Sequence, residues 1–129
     1  DSGGSHVIAA NANNGFVVVI STSKISINKF GVGDVVAYNS ALSTNTWTHV
    51  ALVREGTGSN QTKIYIDGSS VATGTDNNNW TVTTSFAIGG NSATSSQYIT
   101  AYLDDLRITK GYARYTANFT APTSALPTY

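Results

Sequence analysis

Lys63-Ile64-Tyr65-Ile66-Asp67-Gly68-Ser69-Ser70-Val71 decides the fold. Apolar and polar residues alternate up to Asp67-Gly68, and Val71 resumes the pattern just beyond. Successive side chains of a strand point to opposite faces, so a period of two marks a strand with one buried side. Asp-Gly between alternating segments is the strongest short-range hairpin signal, because both central positions of a type I′ turn require positive φ. The stretch therefore predicts a β-hairpin. Asp67 and Gly68 form its turn, a structural role rather than that of a metal ligand.

The same period recurs on both sides. Trp47, His49, Ala51 and Val53 interleave with Thr48, Val50 and Leu52, and Ile25 and Ile27 alternate with Lys24, Ser26 and Asn28. Residues 16–20 are almost wholly apolar, as in a strand buried on both faces. Phe86-Ala87-Ile88 and the long stretch 98–108 complete the set. Clusters rich in Gly, Asn and Ser at 11–15, 31–34, 56–60, 74–79 and 89–96 supply the turns. The nearest thing to a helix is a single turn at 110–115, and no internal repeat is present. These features predict one all-β domain, an antiparallel β-sandwich or jelly roll. Both prolines fall in 121–129, which reads as an exit linker.

Composition narrows the partners. The 129 residues carry no net charge, and charged side chains make up 11%, against about 25% in an ordinary domain. Asn, Ser and Thr fill 45 positions instead. That surface lacks the basic stripe nucleic-acid binding needs, and the polybasic segment of a membrane-surface protein. A hydrophobic fraction of 40% argues against disorder. No run of about 18 apolar residues could span a bilayer. Without cysteine there is neither a disulfide framework nor a thiolate metal site. The chain opens on Asp1 with no leader pattern, and reads as a processed or excerpted piece of a longer one.

Three segments in order, 45–54, 63–68 and 103–108, carry a resemblance. They are Asn45-Thr46-Trp47-Thr48-His49-Val50-Ala51-Leu52-Val53-Arg54, then Lys63-Ile64-Tyr65-Ile66-Asp67-Gly68, then Leu103-Asp104-Asp105-Leu106-Arg107-Ile108. Together they resemble the W-x-H-V-A … Y-x-D-G … I-D-D-[LV]-R-I pattern of laminin G-like modules in the concanavalin A-like lectin/glucanase superfamily. Residues 109–122 are similar to the closing sequence of such modules in bacteriophage tail and fibre proteins and marine bacterial surface proteins. The likeness spans 15–122 and implies a jelly roll over 1–120, with 121–129 as tail. The family's usual opening strand, of F-T-I-E-x-W type, is missing. Either the excerpt starts late, or a strand from another chain or domain covers that edge, since an uncovered sheet edge invites pairing.

The candidate residues divide by chemistry. Trp47 and His49 read as inward-facing packing residues of a central strand. Arg107 with Asp104 or Asp105 reads as a partly buried ion pair fixing the last strand. The competing reading, which the resemblance implies, is a structural calcium ion on Asp104, with Asp34 and Asp76 among the further oxygen donors. Calcium needs 6–8 oxygens, and no D-x-D-x-D-G spacing supplies them. For sugars, flat aromatic faces meet C–H groups while amides and carboxylates bond hydroxyls. Asp34, Tyr38 and Asn39 form one candidate loop, Asn79 and Trp80 belong to a second, and Asn91, Gln97 and Tyr98 to a third. Trp80 stands either exposed as a platform or inward at the start of a strand.

Catalysis finds no support. Retaining glucanases need two carboxylates about 5 Å apart, and the chain's single glutamate, Glu55, sits beside Arg54 at a loop. No G-x-S-x-G, H-E-x-x-H or phosphate-binding loop is present. The reading that follows is a non-catalytic, extracellular carbohydrate-binding or adhesion module on a phage tail, fibre or cell surface. It would bind a glycan or host-surface polysaccharide, beside other virion or same-chain domains in a larger or oligomeric assembly. The alternatives are a structural virion decoration protein and an accessory module of a secreted polysaccharide-degrading enzyme.

Overall fold

The computed structural model describes residues 5–10, 15–30, 32–80, 86–91 and 97–127. Its strands are β1 (Ser5–Ala10), β2 (Phe16–Ile20), β3 (Ile25–Lys29), β4 (Gly33–Tyr38), β5 (Val50–Arg54), β6 (Thr62–Ile66), β7 (Ser69–Gly74) and β8 (Phe86–Ile88). They form a five-stranded sheet, β4-β3-β2-β1-β8, and a three-stranded sheet, β5-β6-β7. Every pairing is antiparallel. No helix occurs among the described residues. The β-sandwich expected from the period-two pattern is present.

Register explains the layers. Ile20 pairs with Ile25 and Ile25 with Tyr38, so these side chains share one face of the large sheet. There Ile25 and Val36 pack against Ile64, with Val50, Leu52, Ile66 and Val71 around them. The opposite face buries Ala9, Val17 and Val19 against Phe30 and Ala87. Strand β2 is therefore buried on both sides, as its continuous apolar run predicts.

The β6–β7 turn lies where the sequence puts it, with Asp67 at φ 48° and Gly68 at φ 82°. A further layer covers the outer face of the small sheet. Lys63 and Tyr65 point away from Ile64 on β6, and Tyr115 and Phe119, stacked at 3.6 Å, close over Tyr65, which is 0% exposed. The Phe119 N–H donates to the Gly68 carbonyl at 3.0 Å, and the Ser70 N–H donates to Asn118 Oδ1 at 2.9 Å. A Cβ added to Gly68 would fall on the Phe119 carbonyl oxygen. Glycine thus serves both the turn and the docking of 115–119.

Four expectations change. Strands β1 and β4 were not read from the sequence, and Asp34 and Tyr38 lie on β4 rather than in a loop. Strand β5 begins at Val50, after a turn with Asn45 at φ 56°, so Trp47 precedes it and is 69% exposed rather than core filler. His49 lies not on the inner face but edge-on to Tyr115 and Phe119, with Nδ1 buried and without a hydrogen-bond partner among the described residues. Residues 98–108 form no strand. Alternation fixes which side chains would share a face, but a strand forms only where a sheet edge takes its backbone bonds. Asp105, at φ 49°, interrupts the extended path, and Tyr102, Leu103, Leu106 and Ile108 stay exposed.

Candidate functional site

Strand direction gathers one group of side chains at one end of the sandwich. Phe16 opens β2, Lys29 closes β3, Phe86 opens β8, and Arg54 closes β5. Residues 75–80 cross this end between β7 and β8, and their conformation is set by a buried carboxylate. Asp76 is 2% exposed. Its Oδ1 accepts the backbone N–H and the side-chain amide N–H of Asn78, at 2.9 and 2.8 Å. Its Oδ2 accepts the Trp80 Nε1–H at 2.6 Å and faces Arg54 Nη1 at 3.7 Å. Arg54 Nη1 also donates to the Asn78 carbonyl at 2.9 Å, and Lys29 Nζ donates to Asn78 Oδ1 at 3.0 Å. A buried carboxylate is retained only when paired and hydrogen-bonded, and here every bond also fixes a loop atom.

Trp80 is consequently half-buried rather than a free platform. Its ring meets Phe16 edge-on at 6.1 Å, and Phe16 meets Phe86 at 6.3 Å. The three rings form a row from the loop onto the large sheet. Phe86, 41% exposed, is its open end. Asn77 and Asn79 stand exposed beside it. Sequence reading found Trp80 and Asn79 but missed Phe16, Phe86, Lys29 and Arg54. The first two read as ordinary strand residues; their place at strand starts beside Asn- or Ser-rich turns was the available signal.

The other candidates lie elsewhere. Asn39 follows the far end of β4, and Asn91, Gln97 and Tyr98 follow the far end of β8, so they belong to the opposite end. Asn91 is buried and its Nδ2 donates to Gln97 Oε1 at 2.9 Å, while the exposed Tyr98 ring lies over Gly90. Asp34 sits on the face of β3–β4 turned from the small sheet, where it pairs with Lys24 and accepts from Ser26 Oγ at 2.8 Å and Asn28 Nδ2 at 3.2 Å. Burial pushes its carboxyl up, but these three donors outweigh burial and hold it below the usual carboxylate value. Glu55 pairs with Lys63, whose ammonium that bond pushes up.

A family model of laminin G-like domains, described as the concanavalin A-like lectin/glucanases superfamily, matches residues 1–114. The chain belongs to this family. Neither a curated protein nor a solved structure gives a significant match.

In this laminin G-like domain the family-type segment 103–108 grips the chain's end rather than a sheet. Asp105 Oδ2 accepts the Leu126 N–H at 3.1 Å, Arg107 Nη2 donates to the Pro127 carbonyl at 2.9 Å, and Asp104 Oδ1 accepts the Asp105 N–H at 2.8 Å. Residues 126–127, read as linker, are thus held. Asp34, Asp76 and Asp104 have separate surroundings, and among the described residues no three His, Asp or Glu side chains gather to hold a metal.

Proposed function

We propose that this laminin G-like chain is a non-catalytic carbohydrate-binding module, displayed on a virion (phage tail or fibre) or a cell surface. Recognition takes place at the end of the sandwich built around Asp76. The observation that carries this reading is the Trp80–Phe16–Phe86 row with exposed Asn77 and Asn79 beside it. An aromatic face takes the C–H side of a sugar while the amides bond its hydroxyls. A shallow site of this kind is weak alone and gains by multivalent display. The membership in a lectin-type superfamily supports a carbohydrate ligand, and the likeness of 109–122 to phage and marine surface modules supports the setting. Titration of the full chain with glycans tests it. Phe86→Ala and Asn79→Ala weaken binding about five- to tenfold by loss of one ring or amide contact, whereas Tyr98→Ala, at the opposite end, leaves it unchanged. Absence of binding at millimolar glycan refutes the reading.

One observation favours a second reading, a structural module acting through protein contacts. Tyr102, Leu103, Leu106, Ile108 and Tyr112 are all exposed along one segment, and such apolar runs mark interaction surfaces. Sedimentation velocity over a concentration series distinguishes the two. Self-association abolished by Leu106→Asp with glycan binding absent supports the structural role.

A further inference from the structure

Among the described residues the charges at this end do not balance. Lys24 pairs with Asp34, Lys63 with Glu55, and Arg54 faces Asp76. Lys29 differs: among the described residues it has no carboxylate partner, and its ammonium donates to the neutral Asn78 Oδ1 at 3.0 Å. Two cations, Lys29 and Arg54, therefore stand around the single carboxylate of Asp76. An ammonium has three donors, so hydrogen-bonding capacity remains at Lys29. Its position is fixed from both sides. Lys29 is the cross-strand partner of Phe16, so the two side chains share a face. Asn78 cannot turn its amide over, because its Nδ2 is committed to Asp76 while its Oδ1 receives Lys29.

We infer that this site takes an acidic glycan, with the carboxylate of a uronic or sialic acid residue on Lys29 and the sugar's C–H face along Phe16 and Phe86. The inference rests on the glycan-binding reading of the same site and adds its ligand class. A carboxylate arriving here supplies the counter-ion that Lys29 lacks among the described residues, while the sugar hydroxyls meet Asn77 and Asn79. A neutral sugar would leave that cation uncompensated.

The test is calorimetric titration of the full chain with oligogalacturonate and with a neutral galactan oligosaccharide of matched length. The acidic ligand is expected to bind about five- to tenfold more tightly at low salt, the scale of one partly screened charge-assisted contact. Raising sodium chloride to several hundred millimolar erodes that advantage. Lys29→Gln abolishes it, Lys29→Arg retains it, and Lys110→Gln, at an exposed position in another segment, leaves it intact. Equal binding of the two ligands, or an acidic preference that survives Lys29→Gln, overturns the inference while glycan binding stands. No binding of either, or of any other glycan, overturns both. Circular dichroism of each variant establishes that the sandwich is folded before titration.

Discussion

Gly68→Ala tests whether the β6–β7 turn also seats the C-terminal layer. At φ 82° an alanine enters left-handed backbone space, which costs about 1–2 kcal/mol for an L-residue. In a free hairpin the cost would end there. Here the new Cβ falls on the Phe119 carbonyl, a backbone atom that yields only if residues 118–121 move. Movement breaks the Phe119-to-Gly68 and Ser70-to-Asn118 hydrogen bonds, each worth about 1 kcal/mol net. It also draws the Phe119 ring from His49 and Tyr65, both 5.5 Å away, for about 1 kcal/mol more. The sum is about 4–5 kcal/mol. Urea unfolding followed by circular dichroism measures it. Gly68→Asn separates the causes. Asparagine tolerates the turn conformation, so strain alone makes Asn milder than Ala, whereas collision makes both severe. A cost below about 1.5 kcal/mol for Asn beside a larger one for Ala would show that the tail does not rest on Gly68, and the reasoning fails.

Asp76→Asn exchanges a carboxylate that meets Asn78, Trp80 and Arg54 for an amide, and is expected to destabilise by about 2–4 kcal/mol, with a changed Trp80 fluorescence spectrum. Trp47→Ser is expected to cost under about 0.5 kcal/mol in the same denaturation assay, as at other exposed sites. Asp34 has its folded-state value below the unfolded one. Its contribution is therefore full above the unfolded value near 3.8 and is lost as pH falls through the folded one. Melting temperature should drop in that acid window, and the drop should be smaller in Asp34→Asn. The calcium reading predicts a melting temperature that falls on chelation by EDTA and returns with added calcium; a melting temperature unchanged by EDTA counts against a site.

The sequence by itself determined the all-β class, the Asp67-Gly68 turn and the doubly buried β2. These follow from nearest-neighbour geometry: a period of two, and backbone angles that only certain residues adopt. Tertiary structure decided the rest. Trp47 and His49 sit two residues apart in a stretch that reads as one central strand, yet one is exposed and the other lies edge-on to Phe119, because strand β5 starts late, at the edge of its sheet, and an outer layer arrives from far along the chain. Residues 98–108 carry strand alternation but have no sheet ladder. At the candidate site, local sequence marked Trp80 and Asn79. Which way Trp80 faces was settled by Asp76 and by Arg54 from the other sheet, together with Phe16. Alternation specifies the face a side chain would occupy. The partner across that face is set by packing between segments distant in sequence, and no local pattern encodes it.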